Sequence, residues 1–234
     1  MKTSILKTLE NLKLTSDETR KIFSNRTRDI DNLRVWRDEV SGVVFIDEYY
    51  TGDESYITGA YRDGNSISSQ SGKENFEEEN DAKRRFETNF KFFAGKKVAD
   101  FGCGKGNFLR LIAPHCQSLI GIELQKNYLE KLNSDKINCV SDIEILDNCS
   151  IDVCFSFHVL EHLPDPIKTL SILKNKIVKG GKIVIEVPHA NDFLLNNVSN
   201  KDFKQFTLWS QHLVLHTRES LLRFLQSAGF VKIN

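Results

Sequence analysis

From about residue 95 onward, short apolar runs alternate with segments whose apolar positions recur every three or four residues. The runs KVADF, SLIGIEL, INCVS, IDVCFSF and KIVIEV are short and rich in β-branched and aromatic residues, so they predict buried strands. Between them GNFLRLIA, NYLEKLN and PIKTLSILKNKIV carry helical spacing, the last with apolar Ile167, Leu170, Ile172, Leu173 and Ile177. Gly180-Gly181 is expected to stop that helix, and RESLLRFLQSAG predicts a final helix ending on a glycine. Strands recurring between helices require right-handed crossovers and a parallel sheet covered on both faces. The expected fold class is therefore α/β, a doubly wound, mostly parallel sheet. Ligands of such sheets sit outside the carboxyl ends of the strands, so the loops after each strand are the places to look for function.

The first 75 residues pattern differently. Residues 1–48 are charged and mixed, with a weak helical pattern followed by LRVW and GVVFID, which flank RDEVS and read as a hairpin. Residues 49–75 are rich in Gly, Ser, Tyr and Asp with little periodicity. Two readings stand side by side: a solvated linker, or a lid in which Tyr49, Tyr50, Tyr56 and Tyr61 close over a ligand and exclude water. From Glu74 to Phe93 the pattern becomes helical, anchored by Phe76, Phe86, Phe90 and Phe93. The expected division is an N-terminal appendage, 1–75, and a ligand-binding domain, 76–234.

Composition narrows the function classes. Of 234 residues 40% are hydrophobic and 27% charged, enough for a sizeable core. Lys+Arg and Asp+Glu are both 32, so the chain lacks the basic surplus of proteins that live on phosphate backbones. Nucleic acid is disfavoured as a partner and a small-molecule acceptor is favoured. Cys103, Cys116, Cys139, Cys149 and Cys154 form no C-x-x-C pair, which suggests free thiols in a reducing compartment. With neither a signal-peptide pattern nor a long apolar stretch, the expectation is a cytoplasmic protein without a membrane partner.

The most specific chemistry follows the first strand, at Asp100-Phe101-Gly102-Cys103-Gly104-Lys105-Gly106. Glycines here permit a tight turn with positive φ and let a ligand press on bare backbone. Glu123 ends the next strand, where a carboxylate can accept hydrogen bonds from both vicinal hydroxyls of a ribose. A dinucleotide loop has G-x-G-x-x-G and places a pyrophosphate on the helix N-terminus. The spacing here is G-x-G-x-G beside the acid Asp100, which suits the amino group of a zwitterionic tail better than a pyrophosphate.

VADFGCGKG resembles the first motif of the class I S-adenosylmethionine-dependent methyltransferases, and GIEL their second-strand acid. Asp142 in CVSDIEIL, the segment FSFHVLEHLPDP and the run KGGKIVIEVPH are similar to later family motifs. HLVLHTRESLLRFLQSAGF resembles the tail of the subgroup that modifies sugars, quinones and other small metabolites. The likeness covers about residues 85–234 and implies a Rossmann-like methyltransferase fold with S-adenosyl-L-methionine as cofactor. It implies that Gly102, Cys103, Gly104 and Gly106 form the loop under the methionine tail and that Asp100 holds its amino group. Glu123 would bind the ribose and Leu124 the adenine ring, Asp142 would reach the exocyclic amine with Ile143 beside it, and Phe157 and His158 would line the pocket near the sulfonium. The implied reaction is methyl transfer to a small molecule, such as a sugar, nucleotide-sugar or surface-glycan precursor. A non-catalytic binding module and a protein or RNA methyltransferase stay open as alternatives. Family sheets end in a two-strand hairpin; this sequence stops at GFVKIN, so that C-terminal hairpin is expected to be incomplete. The N-terminal hairpin looks like a small zinc ribbon of some sugar-modifying relatives, without the cysteines, and would rely on Trp36, Val44 and Phe45.

A base accelerates methyl transfer when the acceptor loses a proton. Histidines placed for this are His158, His162, His189 after the fifth strand, and His212 and His216, which would stand where a pocket rim meets the last helix. His158, His189 and His216 are the residues taken forward as catalytic candidates. His158-Val-Leu-Glu161-His162 also spells H-x-x-E-H, an inverted zinc-protease signature. Pro164 and Pro166 cut short the helix that would have to carry both histidines, and no third-ligand helix follows. No metal is therefore expected.

Overall fold

The computed structural model describes residues 5–47, 49–60, 71–196 and 201–231. Its elements run α1 (Ile5–Asn11), β1 (Arg20–Ser24), β2 (Val35–Asp38), β3 (Val44–Ile46), α2 (Asp53–Thr58), α3 (Ser71–Phe93), β4 (Lys97–Phe101) and α4 (Asn107–Ile112). There follow β5 (Ser118–Ile122), α5 (Lys126–Ser134), β6 (Cys139–Val140), β7 (Ile151–Phe157), α6 (Pro166–Lys176), β8 (Ile177–Glu186), α7 (Phe193–Asn196), α8 (Lys201–Thr207), β9 (Val214–Leu215) and α9 (Arg218–Ser227). They form two compact units that interleave along the chain: Gly52–Phe157 with Asn175–Ile185, and Met1–Thr51 with His158–Lys174 and Glu186–Asn234. The division expected at residue 75 separates an appendage from a ligand-binding domain; these units follow packing instead and recruit the chain's tail to its beginning.

The first unit is the expected α/β fold. Its five-stranded sheet has the order β6-β5-β4-β7-β8. β4 pairs in parallel with β5, from Lys97↔Ser118 to Phe101↔Ile122, and with β7 through Ala99↔Cys154. The chain therefore winds outward from β4 on one side and then returns to the other, so strand order reverses beside the carboxyl end of β4, where α/β sheets open a crevice for ligands. Aromatic packing fixes this frame. Phe93 of α3, Phe108 of α4 and Phe155 of β7 are buried together with Phe157, with ring centroids 5.1 Å apart for Phe108–Phe155 and 5.2 Å for Phe108–Phe157.

The glycine pair at 180–181 does not end α6. The helix stops at Lys176, and β8 runs straight through both glycines. A Cβ on Gly181 would lie 2.7 Å from the Asp152 carbonyl oxygen, so the glycine serves a close approach of β8 to β7. The segment 49–75 is less structureless than its composition suggests, since it contains α2, which packs on α5. Tyr61 and its proposed part in a lid lie outside the described residues.

The other unit carries a four-stranded sheet of order β1-β2-β3-β9. The expected hairpin is β2–β3, with Val35↔Ile46 and Trp36↔Phe45 opposed. Val44 and Phe45 are buried, and the Arg20 guanidinium sits 5.6 Å over the Trp36 ring. β1 has no alternating signature, which is why RKIFS did not read as a strand; Ile22 is half exposed. β9 comes from HLVLHT and pairs with β3 through Val44↔Leu215. α9 begins in a capping box between Thr217 and Ser220. It ends with Gly229 at φ 85°, where the Gly229 and Phe230 amides donate to the Gln226 and Leu225 carbonyls, a Schellman closure. Among the described residues no helix is long and apolar enough to cross a membrane. Of GFVKIN, where the C-terminal hairpin is expected to be incomplete, residues 232–234 lie outside the described residues.

Candidate functional site

The bend after β4 is built by its glycines. Gly102, Gly104 and Gly106 have φ of 79°, 55° and 77°, the left-handed region that a Cβ disfavours. The bend is tied to the end of β5: the Gly102 and Cys103 amides donate to the Ile122 carbonyl, at 2.8 and 3.2 Å. The Gly104 N–H donates to Glu123 Oε2 at 2.7 Å, and the Gln125 N–H to Glu123 Oε1 at 2.7 Å. The carboxylate thus stands at the glycine bend, anchored through both oxygens, and each oxygen keeps a second lone pair for a further donor.

Two of the glycines do different jobs. A Cβ on Gly104 would meet nothing within 4 Å among the described residues, whereas one on Gly106 would lie 2.4 Å from Leu132 Cδ2. Gly106 is needed to seat α4 against α5; Gly104 leaves bare backbone facing open space. Sequence reasoning overlooked Gly121, whose Cβ would crowd Cys103 Sγ and Leu109 Cδ1, both at 2.8 Å, so β5 too must present bare backbone beneath the bend.

Asp100 is fully buried behind the loop, and burial pushes its carboxyl up to about 7, with Glu123 adding to the rise and Arg85 opposing it. Arg85, on α3, was not singled out from the sequence because helical charges ordinarily face solvent; its guanidinium lies 4.6 Å over the Phe157 ring. Leu124 is half exposed, an apolar side chain next to Glu123. Asp142 is exposed, its Oδ1 accepting the Glu144 N–H at 2.8 Å to cap a 3-10 turn in which Ile143 is buried. Phe157 is buried in the aromatic core at the end of β7.

The histidines divide sharply. His158 is exposed and has φ 56°; its Nδ1 lies 3.3 Å from Glu161 Oε1 and its Nε2 3.2 Å from Glu186 Oε1. His189 is exposed, and its Nδ1 accepts the Asn191 N–H at 3.0 Å. His216, expected at a rim, is instead buried against Phe224, with Nδ1 3.0 Å from Ser220 Oγ, and burial lowers it to about 4. The H-x-x-E-H segment forms no long helix: only Leu160–His162 turn, as a single 3-10 turn.

Known proteins share the family and the fold. Residues 74–234 match the methyltransferase domain family. A tRNA U34 carboxymethyltransferase of Haemophilus influenzae is 33% identical over 103 residues, 39% of this chain and 32% of that protein. A ubiquinone biosynthesis O-methyltransferase of Coxiella burnetii is 30% identical over 106 residues, 42% of this chain and 45% of that protein. The chain thus spans less than half the length of these curated relatives. A SAM-dependent methyltransferase from Archaeoglobus fulgidus superimposes with a TM-score of 0.53 at 27% identity, covering 65% of this chain and 69% of that one. The matched segment contains the parallel sheet, the glycine bend and Glu123, and the chain belongs to the methyltransferase domain family.

Proposed function

We propose that this chain binds S-adenosyl-L-methionine at the bend after β4 and catalyses transfer of its methyl group to a small molecule. The observation that carries the reading is the Gly104 amide on the Glu123 carboxylate at 2.7 Å, beside backbone on which a Cβ would find open space. When bound, the cofactor supplies a sulfonium that already activates the methyl group, so the protein's part is to hold and align. Gly102, Cys103, Gly104 and Gly106 lie under the amino-acid tail, and Asp100, ionised, takes its ammonium group. Glu123 accepts the two ribose hydroxyls, exposed Leu124 covers one face of the adenine, and Asp142 accepts from the exocyclic amine beside Ile143. Phe157, at the end of β7, lines the pocket near the sulfonium.

For an acceptor that loses a proton, His158 is the preferred base among the candidates. Its two ring nitrogens face the carboxylates of Glu161 and Glu186, so it takes the acceptor's proton once one of these contacts has opened, with the other carboxylate stabilising the imidazolium. His189, exposed after β8, is the second choice; His216, buried and held low, is the weakest. The acceptor class is small and carbohydrate-like, supported by the tail's resemblance and by the zero net charge. The tRNA-modifying relative favours a second reading, an RNA acceptor, against which the missing basic surplus counts.

The test is to incubate the protein with methyl-labelled cofactor and cell extract, then separate small metabolites from RNA and protein. Label in the small-molecule fraction, lost with Glu123→Ala, is the expected result. Label in the RNA or protein fraction would overturn the small-molecule reading, and no transfer to any fraction would overturn the enzymatic one.

A further inference from the structure

The H-x-x-E-H segment, though it forms only a single 3-10 turn, still brings side chains together. Its second half meets the chain's tail: one ligand atom each of Glu161, His162 and His212 lie within 4.8 Å of one another. The backbone holds this meeting in place, because the Leu213 N–H donates to the Glu161 carbonyl oxygen at 2.8 Å. We propose that Glu161, His162 and His212 form a binding site for one divalent cation of the zinc class, with a fourth position left for water.

Glu161 supplies the main reason. Its side chain is 0% exposed, and Oε2 is buried with no hydrogen-bonding partner among the described residues. A buried carboxylate oxygen without a partner is costly and ordinarily faces a donor or a cation.

The imidazoles are prepared as ligands in the manner of known metal sites. His162 Nδ1 lies 2.8 Å from the Gln211 carbonyl oxygen and His212 Nδ1 2.9 Å from the Thr207 carbonyl oxygen. A carbonyl only accepts, so both Nδ1 atoms carry the proton and both Nε2 atoms present a lone pair. The Trp209 ring packs against both imidazoles, at 5.8 and 5.4 Å between centroids, and restricts their rotation. His158 Nδ1 lies 3.3 Å from Glu161 Oε1, the oxygen that stands 3.9 Å from His162 Nε2, and so restricts the carboxylate's rotation. Two imidazoles and one carboxylate suit a borderline ion such as zinc, which takes nitrogen and oxygen ligands at about 2.0–2.2 Å in a tetrahedral site. Calcium and magnesium, which demand six or more oxygens, do not fit this set.

This site shares Glu161 with His158 and is tested without turnover, by metal binding alone. Chelator-treated full-length protein is titrated with zinc, then with cobalt, whose spectrum reports its ligands. One zinc per chain is expected, weakened by more than about 100-fold in Glu161→Gln and in His212→Ala, and unchanged in His115→Ala, whose histidine lies elsewhere on the surface. The cobalt form should show visible d–d bands without thiolate charge transfer. His212→Cys should add a thiolate-to-cobalt charge-transfer band, a signal that appears only if residue 212 touches the ion. Should the alanine variant fail to fold, the wild-type cobalt spectrum and the cysteine variant decide. Unchanged zinc affinity in Glu161→Gln, wild-type cobalt bands of thiolate type, or no binding by the wild type would each overturn the proposal.

Discussion

At the scale of single residues, a glycine can be kept for a ligand or for the fold, and the two cases are separable here. Gly104→Ala meets only the cost of a left-handed Cβ, about 1 kcal/mol, because open space surrounds the position. The variant should melt within a few degrees of wild type yet lose cofactor affinity. Gly106→Ala drives a Cβ into buried Leu132 at the same unfavourable φ and should lower stability by about 2 kcal/mol or more. Urea titrations of the two variants beside wild type check this; equal destabilisation would contradict it. Asp100 makes a second residue-level prediction. Its carboxyl, raised by burial from 3.8 to about 7, keeps a proton in the folded protein that the unfolded chain releases. Between about pH 4 and pH 7 the folded state binds more protons, so the contribution of Asp100 to stability is greatest at the acid end and shrinks as pH rises, levelling above 7. Unfolding of wild type and Asp100→Asn at pH 5 and pH 7.5 should show the variant losing that part of the slope; parallel pH profiles would contradict it. Because a cationic amino group requires the ionised carboxylate, cofactor affinity should climb from pH 6 to pH 8 in wild type.

At the scale of elements, caps and close approaches determine where the chain turns. The capping box of α9 joins Thr217 and Ser220, and Thr217→Ala should cost about 1 kcal/mol, read as a lower urea midpoint with an unchanged slope. A wild-type midpoint would mean that the box carries no stability. The same elements show what could be read in advance. The strands β4, β5, β7 and β8 and the helices between them were legible because apolar runs and helical spacing report burial directly. The glycine pair misled because a helix stop and a close strand contact use the same residue type, and only the Asp152 carbonyl beside Gly181 tells them apart. β1 was illegible because RKIFS does not alternate, and β9 because its partner lies far along the chain, Val44 standing opposite Leu215. That Glu161, His162 and His212 come together was likewise not legible, since the pattern was sought within one helix and His212 comes from the tail.

At the scale of the whole molecule, the chain folds as two interleaved units, one of them the parallel sheet whose carboxyl edge carries the glycine bend. The central claim is that this bend and Glu123 together hold S-adenosyl-L-methionine. Glycines at 102, 104 and 106 and the acid at the end of the next strand were visible in the sequence; that the Gly104 amide and the Glu123 carboxylate touch required the fold. Isothermal titration of the intact protein with S-adenosyl-L-methionine tests the claim most directly. The account predicts a single site in the micromolar range, weakened about 100-fold in Glu123→Ala, as expected for losing two hydrogen bonds to a charged group. No heat of binding to folded wild-type protein, or equal affinity in the Glu123→Ala variant, would contradict it.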